Sequence, residues 1–247
     1  MKMKRLVSFF MGCFAIILLS GCITDKHLSA GGDLLTAATV TNDDLIKMSK
    51  EMRVVGDKQN KVAPANNKYA QRLARLTNKL KNEDGLDLNF KVYITKDINA
   101  NATADGSIRM YSGLMDMMTD DEIFYVIGHE IGHVKGGDSL NAIRVAYTTS
   151  GVVKAAGAAS GTVAALTDSQ LGDLLNAAVN AQFSQKQEYA ADNYGYNMMK
   201  KYKVDTNAAV SALRKIDALG QSGGFLSSHP NSADRANKLE NLIKSGK

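Results

Sequence analysis

Tryptophan is absent from the 247-residue chain, aromatic residues make up 6% of it, and there are only two cysteines and four histidines. Two cysteines cannot build a disulfide framework, and one of them, Cys13, sits in the apolar N-terminal run. No basic stripe interleaved with aromatics is present, so no nucleic-acid partner is expected. The formal charge is +5, but Lys2, Lys4 and Arg5 supply three of it, leaving +2 for the rest. A pI near 9.0 therefore carries no argument for a polyanionic ligand.

Long hydrophobic runs are scarce as well. Leu6 to Leu19 is the most apolar stretch, and it is short beside the roughly 20 residues of a spanning helix. With its positive start and its Leu19-Ser20-Gly21-Cys22 ending, it reads as a lipoprotein signal peptide over residues 1–21, cut before an acylated Cys22. Ile23, where an Asp would signal inner-membrane retention, points to the outer membrane, facing the periplasm. Residues 22–40 are rich in Gly, Ala, Ser and Thr and read as a lipidated flexible tether. Residues 41–247 remain for one domain, large enough for a proper core.

At the centre of that domain stands His129-Glu130-Ile131-Gly132-His133, the H-E-x-x-H pattern. On a helix the two histidines share one face, one turn apart. Two neutral imidazoles so placed are ligands for one Zn²⁺, and Glu130 is within reach of a zinc-bound water as general base. Thr119 and Glu122 form a T-x-x-E capping box upstream, and Gly136-Gly137 stops the helix. Ile123, Phe124, Val126, Ile127, Ile131 and Val134 make it largely buried, so its histidines need partners.

A catalytic zinc needs a third protein ligand and an open position. The short-range template fails, because Ser139 occupies the ligand position and Asp138 is one residue out of register. A carboxylate on a later helix fits better. Glu188 and Asp192 lie at i and i+4, so Glu188 is the third ligand and Asp192 accepts an imidazole N–H behind the metal.

These motifs, with Asp97-Ile98-Asn99-Ala100, Tyr111 to Asp116, Phe183-Ser184-Gln185, and His229-Pro230 with Arg235, resemble the HtpX/Oma-type zinc metallopeptidases, within them the soluble bacterial lipoprotein branch. The resemblance implies a gluzincin: an α+β, mainly helical zincin domain with a small β-sheet bordering the active-site cleft. It implies endopeptidase activity, with Asn99, Ala100, Asn101 and Ala102 along the substrate cleft. It also implies that His229 and Arg235 face the site, His229 as an oxyanion donor and Arg235 orienting Asp192 or His229. The family often has an aromatic at position 101, where this chain has Asn, which bears on subsite preference and not on the chemistry.

The rest of the chain reads as elements around this site. A helix is expected from Thr41 to about Val55, a second from Pro64, and strands over Leu88–Ile94 and Ser107–Tyr111. Asp168 to Tyr202 reads as mainly helix, with further helices capped by Thr206 and Ser232. Residues 141–166, weakly apolar with Arg144 and Lys154 as their only charges, read as a lid beside the cleft or a docking hairpin. The expected function is hydrolysis of unfolded or misassembled envelope proteins with one Zn²⁺ per chain. Implied partners are those substrates, the membrane through Cys22, and an envelope protease or assembly machine. A chaperone-like or adaptor lipoprotein with little proteolysis is the alternative. A structural zinc protein needs a fourth ligand, and none is found, since the only other histidines are His27 in the tether and His229.

Overall fold

The computed structural model describes residues 40–150, 166–220 and 224–246. The leader, Cys22, almost all of the tether and residues 151–165 of the weakly apolar run lie outside the described residues. Among the described residues, no helix is long and apolar enough to cross a membrane.

Helix α1 (Asn42–Gln59) opens on a capping box in which Thr41 and Asp44 exchange hydrogen bonds. It runs a full turn beyond the expected end, and Val55 and Gly56 stay buried. Helix α2 (Lys68–Thr77) starts later than Pro64, because Asn67 accepts from the Tyr69 amide and so sets the N-terminus. Strand β1 (Asn89–Tyr93) and strand β3 (Ser107–Tyr111) pair in parallel, and β2 (Ala100–Ala102) pairs antiparallel with β3, giving the order β1-β3-β2. The stretch expected to border the cleft is thus itself an edge strand.

A short helix, α3 (Ser112–Met117), leads into α4 (Asp120–Lys135), which carries the H-E-x-x-H residues. The expected capping box is formed: Thr119 Oγ1 accepts from the Glu122 amide and Glu122 accepts from the Thr119 amide. Twelve consecutive residues of α4, Glu122 to His133, are buried. Gly136 closes the helix and Gly137, at φ 76°, turns the chain into α5 (Asp138–Thr149). Residues 141–149 are therefore helix, with Ile143, Ala146 and Tyr147 packed in a core with Leu45, Met48 and Met52 of α1.

The span expected as one helical stretch is broken in two, α6 (Asp168–Val179) and α7 (Gln185–Tyr202), each with its own capping box. Helix α8 (Asn207–Asp217) begins after Thr206, but Thr206 makes no side-chain cap; Asp205 accepts from the Asn207 amide instead. A single turn, α9 (Phe225–Ser228), precedes α10 (Ser232–Lys244). Ser232 is the first residue of α10 and not its cap, which is Asn231 in a left-handed conformation.

Two cores result. The larger joins the sheet, α4, α7 and α8 through residues such as Ile108, Met110, Leu114, Met115, Ile127 and Met199. The smaller joins α1, α5 and α6. Helices α4 and α7 cross so closely that a Cβ on Gly128 would lie 2.8 Å from Gly195 Cα, and one on Gly132 2.8 Å from Ala191 Cα. That approach brings Glu188 and Asp192 beside His129 and His133.

Candidate metal centre

His129 and His133 project from α4, Glu188 from α7 and His229 from the turn after α9, all at most 2% exposed. Among the described residues they form a cluster whose ligand atoms lie within 4.8 Å of one another. His129 Nε2 is 3.1 Å from His133 Nε2 and 3.6 Å from Glu188 Oε2. His133 Nε2 is 3.4 Å from Glu188 Oε1. Four donors around one ion at Zn–N and Zn–O bonds of 2.0–2.2 Å stand about 3.3–3.5 Å apart, so the observed spacing fits zinc. His229 Nδ1 lies 3.1 Å from both His129 Nε2 and Glu188 Oε1. Its ring thus closes in on the three expected ligands with Nδ1 toward them and Nε2 toward Glu130.

Each imidazole on α4 has its outer nitrogen held. His129 Nδ1 sits 2.9 Å from Asp192 Oδ1, and Tyr125 donates to the same oxygen at 2.7 Å. His133 Nδ1 sits 2.9 Å from Asp138 Oδ2, and its ring stacks on Phe183 at 4.0 Å. Arg235 lies behind the cluster, wholly buried, donating Nε to Asp192 Oδ2 at 2.8 Å and Nη2 to Asp192 Oδ1 at 2.6 Å. Its Nη1 lies 2.5 Å from Glu188 Oε2. The guanidinium therefore orients Asp192; its link to His229 is a longer bond to the backbone carbonyl, 3.5 Å.

The charge states follow. Burial, reinforced by the Arg235 charge, pushes His129 down to about 3, so the ring stays neutral. Burial works to lower His133 too, but Asp138 and Glu188 outweigh it and raise the ring to about 9 while no cation is present. Burial favours protonation of Glu188 and Asp192. Against it, His229, His133 and Arg235 hold Glu188, and Arg235 and His129 hold Asp192, well below the usual carboxylate range. Glu130 is raised by burial. Its Oε1 is buried, has no hydrogen-bond partner among the described residues, and lies 3.6 Å from His229 Nε2. A buried orphaned carboxylate oxygen beside a nest of imidazoles is costly unless something polar enters the site.

A small cavity opens at Glu130 and His229, with Asn101, Ala102 and Thr103 of the sheet edge on one side and Ser139, Ile143, Val179 and Phe183 opposite. Ala100 is buried and Asn99 half-buried; the Asn99 carbonyl accepts from the Tyr111 amide. Asn101 is anchored from below by Arg53, whose Nη2 donates to Oδ1 at 2.9 Å. The residue pattern gave no sign of Tyr125 or Arg53, and weighed Asp138 only as a ligand, one residue out of register.

The chain matches the model of peptidase family M48 over residues 65–243. It is 38% identical to the metalloprotease YcaL of Escherichia coli K12 over 93% of this chain and 94% of that protein. It is 39% identical to the metalloprotease LoiP of the same organism over 91% and 92% of the two chains. A more distant similarity, 28% identity over 64% of this chain and 48% of the relative, is to the mitochondrial metalloendopeptidase OMA1 of Schizosaccharomyces pombe.

Proposed function

The chain belongs to peptidase family M48 and is a metalloendopeptidase, and we propose that it uses one Zn²⁺ held by His129, His133 and Glu188 to cleave unfolded or misassembled envelope proteins. When bound, the ion supplies a Lewis acid that polarises a carbonyl and makes water acidic. Everything else is done by the chain. Neutral His129 and ionised Glu188 offer lone pairs, and Asp192 and Arg235 keep them in place. Glu130, with its pKa raised by burial, takes a proton from the attacking water and returns it to the leaving amine. The edge of β2, from Asn99 to Ala102, receives an extended substrate by backbone pairing. His229, whose Nε2 faces Glu130 in the same cavity, donates to the oxygen on which charge develops.

The compartment belongs to the same reading. We propose that Cys22 is acylated and tethers the domain to the outer membrane on the periplasmic side, where an envelope protease or assembly machine is its natural partner. The support is the run Leu6 to Leu19 ending in Leu19-Ser20-Gly21-Cys22.

The observation that carries the catalytic reading is the convergence of His129 Nε2 and His133 Nε2, 3.1 Å apart on α4, with the Glu188 carboxylate, whose Oε2 lies 3.6 Å from the first and whose Oε1 lies 3.4 Å from the second. The test compares the full chain with its Glu130→Gln variant for bound zinc and for cleavage of an unfolded protein. One zinc in each, with cleavage lowered by about 10²–10⁴ in the variant and abolished by a chelator, is the expected result. A folded wild type without zinc overturns the reading. Zinc in both without cleavage in either favours the adaptor alternative.

A further inference from the structure

His133 is held from behind by a carboxylate outside the H-E-x-x-H and E-x-x-x-D motifs. Asp138 is the first residue of α5, and it reaches back under the ring because Gly137 adopts φ 76°, where a Cβ is strained. Gly136 leaves room for it: a Cβ there would stand 3.3 Å from Asp138 Oδ2. The second oxygen, Oδ1, accepts from Gln187 Nε2 at 2.7 Å. Gln187 is the capping-box residue of α7, and its Oε1 accepts from the Ser184 amide at 2.9 Å and the Ser184 hydroxyl at 2.7 Å. Because Oε1 is taken, Nε2 is the end presented to Asp138.

From the Ser184 hydroxyl through the Gln187 carboxamide to Asp138, the side-chain hydrogen bonds then have one direction. Ser184 donates to Gln187, and Gln187 donates to Asp138. The Asp138 carboxylate accepts from Gln187 through one oxygen and turns the other to the ring, so His133 donates from Nδ1. In the neutral ring that binds a metal, the Nε2 lone pair then faces His129 Nε2 and Glu188, at 3.1 and 3.4 Å. Glu188 is the residue after Gln187, so the cap that starts α7 also sets where Glu188 begins its reach.

We propose that Asp138 and Gln187 are positioning residues for the metal, fixing His133 in its Nδ1-protonated tautomer and tying that tautomer to the cap of the Glu188 helix. The proposal rests on the reading of His129, His133 and Glu188 as ligands. It makes the two imidazoles equivalent in design: Asp192 orients one from within α7 and Asp138 orients the other from the start of α5, through a residue of α7.

The test uses the full chain in detergent and measures Zn²⁺ affinity by competition with a chelator for wild type, Asp138→Asn and Gln187→Met. With Asn at 138, Gln187 still donates to the carbonyl oxygen and the new amide N–H points at Nδ1, which selects the wrong tautomer. Affinity is expected to fall by about 10- to 100-fold in Asp138→Asn and by a smaller factor in Gln187→Met. The zinc-loaded wild type is expected to show a hydrogen-bonded Nδ1 proton of His133 in ¹H–¹⁵N spectra, lost in Asp138→Asn; a merely structural role leaves it in place. Zinc affinity within twofold of wild type in both variants, or an unchanged Nδ1 proton, overturns the proposal while leaving the ligand assignment standing. If Asp138→Asn does not fold, Gln187→Met decides. A wild type that binds no zinc removes the ligand assignment and this proposal together.

Discussion

Arg235 grips Asp192 with two parallel hydrogen bonds, Nε to Oδ2 at 2.8 Å and Nη2 to Oδ1 at 2.6 Å, in a site where neither side chain is more than 2% exposed. The pair joins α10 to α7 directly behind the His129 imidazole. Its desolvation cost is met by further partners: Tyr125 and His129 on Asp192, and Glu188 on the guanidinium. Such a network resists the loss of any one member, because the remaining charges are stranded in a dry interior.

Arg235→Met therefore leaves Asp192 and Glu188 as buried carboxylates without their main cation. The expected loss is about 3–5 kcal/mol of stability, seen as a lower urea midpoint for the metal-free protein. Arg235→Lys is expected to recover only part of it, since an ammonium cannot span both oxygens of Asp192. An Arg235→Met protein as stable as wild type would show that this network is not what joins α10 to the site.

A second cluster gives a pH prediction away from the metal. Asp57 on α1 accepts from Arg109 Nε at 2.8 Å, Lys91 Nζ at 2.7 Å and Tyr93 Oη at 2.8 Å. Burial favours the protonated form, but the hydrogen bonds from Arg109 and Lys91 outweigh it and lower the carboxyl to about 2. A depressed carboxylate stabilises the fold above its unfolded pKa near 4, and the contribution fades as pH falls through about 2. It amounts to about 2 kcal/mol. Urea midpoints measured from pH 5 to pH 2 are expected to drop less steeply in Asp57→Asn, which is already weaker at pH 5. Parallel curves for the two proteins would refute the assignment.

How much of this was legible in the residues depends on how local each cause is. The start of α4 could be read because Thr119 and Glu122 cap each other within one turn, and Glu188 with Asp192 because i and i+4 share a helix face. β2 was not read as a strand: Ala100–Ala102 has little β-propensity and exists through its pairing with β3 and the Arg53–Asn101 bond. Asp138 failed the spacing test for a ligand, and its actual place depends on the left-handed turn at Gly137. His229 stands beside the ligands because it ends the single turn α9, where Phe225, four residues earlier, stacks on its ring at 4.2 Å; a turn of four residues leaves too short a pattern to be read as a helix.

Asn101 offers a test of the cleft edge. Its carboxamide oxygen takes the Arg53 hydrogen bond at 2.9 Å, and its residue lines the cavity at Glu130. Asn101→Ala removes that acceptor from a buried guanidinium, which keeps Thr103 as a partner. The expected cost is about 1.5–3 kcal/mol of stability. Zinc content should stay as in wild type, and KM for a peptide substrate should rise more than kcat falls. A fall in kcat alone would place Asn101 outside the substrate edge.

The spacing of the ligands is set by how near α4 and α7 can come, and the glycines decide that. A Cβ on Gly132 would meet Ala191 Cα at 2.8 Å and the Ala191 carbonyl at 3.1 Å, both backbone atoms that cannot swing aside. Gly132 lies one residue before His133, and Ala191 one residue before Asp192. Any relief of the clash in Gly132→Ala must therefore push α4 away from α7 at the level of the site. The His133 Nε2 to Glu188 Oε1 separation, 3.4 Å in the wild type, must grow with it. Overpacking of this kind costs about 1–3 kcal/mol, and helix propensity gives back at most about 1 kcal/mol of it. The variant should fold, with a lowered urea midpoint, and hold zinc more weakly than wild type by a larger factor than its lost stability alone explains. Equal zinc affinity in Gly132→Ala and wild type would mean that the ligand spacing is not controlled by the helix crossing.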